Sequence, residues 1–411
     1  MEQWSCIKYL QIKKNYKIIY MKNRNIISLF CGAGGLDLGF KNQGFNILFA
    51  NDFDKDACET YKNNVDKNVI CEDIKKINLE ILPDKCDVIL GGFPCQGFSI
   101  NNNNRYADDP RNALYKEMLR IINIKKPKIF VAENVKGIMS IAKGKIFQQI
   151  QEDFRNIGYN VEAKLLNTSD FGVPQNRYRV LIIGNNINVK NIFPDNIMDK
   201  VKEKITTKDA ISDLKNIPIS YNPININGKI IYNHIASQNV SDKFLGRKFK
   251  VNQYEICDYL QEWRIKSGIS VKKIDEIFGY KYTAGHWFRK DNNSGSIPKP
   301  SDWWRLKKIL NFDNKYDEKI TTLEEKKITF EQTLRVVNWD TPSDTITASG
   351  PEIHINRERR LSVRECARLQ TFPDDFVFTG SLNSMYRQVG NAVPVLFAEI
   401  IAKCVKKMLE L

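Results

Sequence analysis

Five short apolar runs punctuate the first third of the chain, Ile26–Phe30, Phe45–Ala50, Val69–Cys71, Cys86–Gly91 and Lys128–Ala132, with helix-like or polar stretches between them. Runs of this length bounded by glycine or polar clusters read as buried strands, and an intervening helical stretch such as 112–125 implies crossovers and a parallel sheet. In a doubly wound α/β domain of that kind, ligands collect beyond the carboxyl ends of the strands. The fold class is therefore read as α/β, and functional residues are sought at the strand ends.

The first strand runs into Cys31-Gly32-Ala33-Gly34-Gly35-Leu36-Asp37-Leu38-Gly39-Phe40, a glycine turn opening a helix, which is the layout of a nucleotide-type site. The third glycine of the dinucleotide fingerprint is replaced by Asp37, a carboxylate where a pyrophosphate would be repelled. NAD and FAD are thereby disfavoured, and an adenosine ligand without phosphate, S-adenosylmethionine, is expected. The second strand ends in Asn51-Asp52-Phe53-Asp54, where Asp52 can accept the ribose hydroxyls and Phe53 can lie against adenine. The third ends in Glu72-Asp73-Ile74, with a carboxylate for the adenine amino group.

Gly92-Phe93-Pro94-Cys95-Gln96 follows the fourth strand, and Pro94 restricts the backbone approach to the thiol. Position alone leaves Cys95 balanced between a buried structural cysteine and a nucleophile. The fifth strand ends in Glu133-Asn134-Val135, which brings a second reactive group to the same crevice. Val161–Asn167 and Arg179–Ile183, joined by Phe171-Gly172-Val173-Pro174-Gln175-Asn176-Arg177-Tyr178, predict an antiparallel closure at the sheet's edge, with Arg179 at a strand start.

Lys and Arg number 63 against 48 Asp and Glu in 411 residues, and the net charge of +15 favours a polyanionic partner. The nine cysteines form no C-x-x-C pair and the three histidines are far apart, so neither a disulfide framework nor a metal site is indicated. Reduced thiols fit a cytoplasmic enzyme, and no apolar run approaches the length of a membrane span.

With Phe30-Cys31-Gly32-Ala33-Gly34-Gly35, Gly92-Phe93-Pro94-Cys95-Gln96, Glu133-Asn134-Val135 and Gln175-Asn176-Arg177-Tyr178-Arg179 in that order, the chain resembles the prokaryotic DNA cytosine C5 methyltransferases. Residues 360–374 and 388–394 resemble that family's ninth and tenth motifs, and 338–348 the end of its recognition domain. The resemblance implies a seven-stranded, Rossmann-like S-adenosylmethionine-dependent sheet with a second, smaller target-recognition domain. It divides the chain into an extension (1–20), a catalytic domain (21–188), a recognition domain (189–380) and a C-terminal helix (381–411) returning to the Gly32–Phe40 helix.

For the cofactor, the resemblance implies Phe30, Gly32, Ala33, Gly34, Gly35, Asp52, Phe53, Asp73, Ile74, Gly92, Pro94, Leu114 and Asn391. Ala392 stands where many members carry serine, Phe53 where tryptophan is frequent and Asp52 where glutamate is frequent. For the reaction it implies that Cys95 adds to C6 of a flipped-out cytosine, Glu133 serves N3, Arg179 holds O2, and Asn134 and Arg177 orient neighbours. The polar loop from Ser99 to Arg111 would close as a lid.

Within the recognition domain, 254–264 is amphipathic and 267–279 follows with Ser270 as N-cap and Gly279 as stop, a helix-turn-helix layout within an insert at 254–310. The aromatic and basic stretch 280–290 reads equally as DNA-facing or as core, and Trp303–Lys308 as a supporting helix. The expected partner is duplex DNA, with a monomeric modification enzyme acting apart from a cognate restriction endonuclease. Two alternatives stay open: a tRNA cytosine-5 methyltransferase of the same family, which would lack the long insert, and a non-catalytic DNA-binding regulator, which would not need Cys95, Glu133 and Arg179.

Overall fold

A computed structural model describes residues 24–94, 113–237, 253–279, 287–288, 297–321, 335–348 and 350–411. Cys95, the loop 99–111, residues 1–20, 280–286 and 289–290 lie outside the described residues. Seven strands form one sheet: β1 (Arg24–Leu29), β2 (Phe45–Asp52), β3 (Val69–Cys71), β4 (Val88–Gly91), β5 (Ile129–Val135), β6 (Asn160–Asn167) and β7 (Tyr178–Asn185). Their order is β3-β2-β1-β4-β5-β7-β6. The first five are mutually parallel, whereas β7 runs antiparallel between β5 and β6. The short 168–177 connection cannot carry a crossover helix, so β6 and β7 can pair only as antiparallel neighbours.

The chain moves outward from β1 to β2 and β3, then returns to place β4 and β5 on the other side of β1. That reversal opens the crevice at the carboxyl ends of β1 and β4, whose last residues, Leu29 and Gly91, are register partners. Two strands run further than their apolar runs. β2 includes Asp52, opposite Cys71, and β5 includes Glu133 and Asn134, opposite Leu181 and Val180. Backbone pairing continues wherever a neighbouring strand is present, whatever the side chain. These three residues are consequently held by the ladder rather than lying beyond it.

Alternate residues of the strands feed two cores. Ile27, Ile89 and Phe130 pack with Met118, Ile150 and Phe154. Ile26, Leu90, Val131 and Leu181 pack on the other face with Phe40, Phe397 and Ile401. Each such buried side chain contributes about 1.5–3 kcal/mol. The C-terminal segment is two helices rather than one, Leu382–Asn391 and Val395–Glu410. Pro394, with no backbone N–H to donate, separates them. The second lies against the helix Gly35–Asn42, so tightly that a Cβ on Gly39 would sit 2.4 Å from the Ala398 Cβ.

The segment 189–380 does not form one unit. Ile211, Ile235, Val337, Leu361, Phe372 and Phe378 share a core with Ile47, Tyr61, Val65 and Val69 of the sheet domain. Among the described residues, 253–321 has a core of its own, built from Ile256, Leu260, Ile274, Trp303, Leu306 and Tyr316. Motif spacing marks where a segment begins and ends, not what it packs against. Inside this smaller core, helices Gln253–Ser267 and Val271–Phe278 flank a turn in which Ser270 Oγ accepts the Lys273 N–H at 3.2 Å, and Gly279 closes the second at φ 72°. Trp287 and Trp303 are buried there and Trp304 is half-exposed.

Candidate active site

The glycine turn takes its shape from positive φ angles at Phe30 (56°), Gly32 (54°) and Gly34 (91°). At Gly34 a side chain would be doubly disfavoured, since a Cβ would also lie 2.6 Å from Val65 Cγ2. Gly35 faces the chain's other end, where a Cβ would come within 2.4 Å of the Val393 carbonyl oxygen. Gly32 has nothing within 4 Å of its Cβ position, leaving room for a ligand beside the turn. Ala33 is buried. Asp37 does not face that space. Its carboxylate is fully buried below the turn, accepting hydrogen bonds from Ser28 Oγ at 2.8 Å and Tyr61 OH at 2.6 Å. Burial raises it to about 6, against the lowering effect of the two hydroxyls. The expected pyrophosphate repulsion therefore has no geometric basis, because the helix turns position 37 inward.

Asp52 fastens the turn to the end of β2. Its Oδ2 accepts the Gly32 N–H at 2.8 Å and its Oδ1 the Asp54 N–H at 2.9 Å. Burial raises this carboxyl, while the backbone donors pull it down. A carboxylate has about four acceptor positions, so these backbone donors leave acceptor capacity for a hydroxyl group. Phe53 beside it is 72% exposed, a largely open aromatic side chain. Asp73 caps a short 3-10 turn by accepting the Lys75 N–H at 3.0 Å, with Ile74 buried behind it. Asn391 is exposed at the end of its helix, and Leu114 is half-buried against the sheet's core. An open turn, an acid with spare lone pairs and a bare aromatic ring suit a nucleoside, and the residues fit S-adenosylmethionine.

On the other side of the crevice, Glu133 and Arg179 meet from adjacent strands. Arg179 Nε stands 2.6 Å from Glu133 Oε1, and both side chains are about nine-tenths buried. The guanidinium does not direct an N–H along that contact, so Oε1 has no aligned donor among the described residues. Arg179 Nη1 donates to the Tyr178 carbonyl at 2.8 Å. A Cβ on Gly92 would lie 3.5 Å from Glu133 Oε2, which puts the start of the Gly92-Phe93-Pro94 segment against this carboxylate. Asn134 Nδ2 donates to the Phe93 carbonyl at 2.9 Å, tying that segment to β5 two residues before Cys95. Glu133, Arg179, Asn134 and Gly92 are thus brought together.

Arg177 is not in this group. It is fully buried and donates from Nη1 to the Ile346 carbonyl at 3.0 Å and from Nη2 to the Gly390 carbonyl at 2.8 Å. Burial, and then the nearby Arg179 charge, push its guanidinium below the usual arginine range. Sequence reasoning missed its companions. Gln175 Oε1 accepts the Ile346 N–H at 3.1 Å, and Thr345 Oγ1 donates to the Asn176 carbonyl at 2.8 Å. A buried glutamine beside the arginines was the available signal, but its side-chain partners, the Ile346 N–H and the Leu369 carbonyl, lie 171 and 194 residues away.

Comparison with known proteins agrees over most of the chain. A family model described as C-5 cytosine-specific DNA methylase matches residues 24–407. The Type II methyltransferase M.NgoFVII of Neisseria gonorrhoeae is 35% identical over 382 residues, 90% of this chain and 83% of its own length. M.FnuDI of Fusobacterium nucleatum is 35% identical over 398 residues, 93% of this chain and 94% of its own. Among solved structures, an E. coli prophage protein described as a DNA modification methyltransferase superposes with a TM-score of 0.59 at 25% identity, covering 94% of this chain and 99% of its own. The S. pombe Dnmt2 methyltransferase shares the fold at a TM-score of 0.56 and 16% identity, covering 94% and 99%.

Proposed function

The chain belongs to the C-5 cytosine-specific DNA methylase family, and from that premise we propose that it methylates C5 of a cytosine flipped out of a specific duplex sequence, through an adduct between Cys95 and C6. The observation that carries this reading is the buried Glu133–Arg179 pair beside the Gly92-Phe93-Pro94 segment, with one carboxylate oxygen lacking an aligned donor. A buried ion pair whose carboxylate oxygen lacks a well-aligned donor keeps hydrogen-bonding capacity that a ligand can complete. Bound S-adenosylmethionine supplies an electrophilic methyl group.

Cytosine C5 is a poor nucleophile until electrons are pushed into the ring. The Cys95 thiolate forms a bond to C6, and the C5=C6 electron pair moves to C5, which takes the methyl group. The C5 proton then passes to a base, for which a water suffices, and re-formation of C5=C6 expels the thiolate. Glu133 serves N3 as charge builds in the ring. Arg179 holds O2 and fixes the ring plane. Asn134 acts through the Phe93 carbonyl to position the segment leading to Cys95, and Arg177 positions the start of β7.

A base inside the stack is out of reach, so the target must be extruded at a cost of a few kcal/mol. As the relatives' Type II designation suggests, the enzyme is the modification partner of a restriction system, working as a monomer apart from its endonuclease. The test is transfer of labelled methyl groups to duplex DNA by the wild type and by Cys95→Ser. Loss in the variant supports the adduct, retained transfer overturns it, and transfer to tRNA alone overturns the DNA reading. Bisulfite sequencing of DNA from expressing cells identifies the marked sequence.

A further inference from the structure

Two thiols that methyl transfer does not use flank the end of β2. Cys71 is the register partner of Asp52, and its Sγ lies 3.8 Å from the Phe53 carbonyl oxygen. Cys58 is on the helix Lys55–Asn64, whose side chains tilt toward its N-terminus, and its Sγ lies 3.5 Å from the Asp52 carbonyl oxygen. The partners of the two sulfurs are consecutive carbonyls, and both side chains belong to one core, Cys58 within it and Cys71 packed against it. Their access to solvent differs. Cys58 is 1% exposed, whereas Cys71 is half-buried beside the Phe53 carbonyl.

We propose that Cys58 and Cys71 form a dithiol site which a peroxide closes to a disulfide, and that this closure and methyl-donor binding oppose one another. The second half rests on the assignment of Asp52 and Phe53 to the donor. Cys71 is the thiol an oxidant can reach. Its thiolate attacks one peroxide oxygen, breaking the O–O bond and leaving a sulfenic acid, with the other oxygen departing as water after protonation. The Cys58 sulfur then attacks the Cys71 sulfur. The S–O bond breaks, the hydroxide takes the Cys58 proton, and a second water leaves. Two thiols and one hydrogen peroxide thus give one disulfide and two waters. Burial holds the Cys58 thiol well above its ordinary range, which keeps it a poor nucleophile toward free oxidant. Contact with Cys71 offsets this for the second step, because the reaction is then intramolecular.

A disulfide requires an S–S distance of about 2.05 Å and a Cβ–Cβ distance of about 3.5–4.5 Å. Closure therefore removes both S–H donors, and the carbonyls of Asp52 and Phe53 lose these partners. The turn that presents the carboxylate and the ring is thereby released from two of its ties. Conversely, a nucleoside lying on Phe53 shields Cys71.

The test uses the full chain in a Cys95→Ser background, so that oxidation of the nucleophile does not enter. After hydrogen peroxide treatment and blocking of free thiols, peptide mass spectrometry without reduction maps the linkage. Equilibrium dialysis measures S-adenosylmethionine binding. A Cys58–Cys71 linked peptide, binding weakened by about tenfold, reversal of both by dithiothreitol, and slower linkage when S-adenosylmethionine is present beforehand are the expected results. Cys58→Ala and Cys71→Ser each abolish the linkage and make binding insensitive to peroxide. Absence of linkage, or linkage to Cys31 instead, overturns the site. Linkage with unchanged binding overturns the antagonism. If Asp52→Ala and Phe53→Ala leave binding of the reduced protein unchanged while the linkage still forms, the donor assignment fails and the dithiol site stands.

Discussion

Replacing Asp37 by asparagine removes one buried charge from beneath the glycine turn while keeping its shape. The carboxylate accepts from Ser28 Oγ and Tyr61 OH. An amide can accept from one hydroxyl and donate to the other. Burial lifts Asp37 from the ordinary 3.8 to about 6. A difference of roughly two units corresponds to about 3 kcal/mol. The folded protein holds this proton more tightly than the unfolded chain does. Asp37's contribution to stability is therefore fully present below its unfolded value and is lost as pH rises through the folded one. Asparagine has no such dependence. Urea unfolding of both proteins across about pH 4 to 7 should show the difference between them tilting by about 3 kcal/mol in favour of Asp37→Asn, then levelling off. Effects of all other titrating groups cancel in that difference. Parallel stability curves would refute the burial argument, and a tilt of opposite sign would mean that the hydroxyls outweigh desolvation.

Phe53→Ala, at a ring 72% exposed, should change unfolding free energy by less than about 0.5 kcal/mol. It should weaken S-adenosylmethionine binding by about 1–3 kcal/mol, roughly 5- to 150-fold, and unchanged affinity in equilibrium dialysis would count against the stacking role. Arg179→Ala leaves Glu133 buried without its cation and should lower kcat by about 10²–10³ with donor affinity kept; single-turnover methyl transfer at wild-type rate would refute this. Arg177→Met strips two buried carbonyls of their donor and should reduce stability by about 3 kcal/mol. Chemical denaturation showing a loss below about 1 kcal/mol would exclude that bracing role.

The strand pattern was legible because buried strands write their apolar residues contiguously, and five of the seven were marked by such runs. The same signal fails at polar strand ends. Asp52, Glu133 and Asn134 look like loop residues in sequence, yet backbone pairing to Cys71, Leu181 and Val180 continues through them. Asp37 was misread for a related reason. Spacing after the glycines identifies the position, but only the helix's rotation decides that it faces Ser28 and Tyr61. Ser270 and Gly279 were recognisable because caps depend on local chemistry. The partners of Arg177 and Gln175 were not, since backbone carbonyls and amides distant in sequence carry no residue signature.

The chain comes back to the start of β7 at 343–346, after a stretch that includes the separately cored piece 253–321. β7 begins next to Arg177, and residues 343–346 return to the same spot: Asn176 N–H donates to the Ser343 carbonyl at 2.8 Å, Ser343 N–H to the Pro174 carbonyl at 3.1 Å, and Gln175 accepts from Ile346. Most of these bonds are made by backbone groups, so they depend little on which residues intervene. Gly390 seals the junction, since a Cβ there would sit 2.4 Å from the Thr347 carbonyl. Closing a loop costs only about 0.6 kcal/mol more for each doubling of its length. Once the two ends are pinned, inserting a helical piece with its own core, such as 253–321, adds little to that cost. Arg179 and Glu133 are anchored in β7 and β5 on the body's side of the junction. On the proposed reading, changes in the inserted piece would alter which duplex is held without rebuilding the Glu133–Arg179 pair.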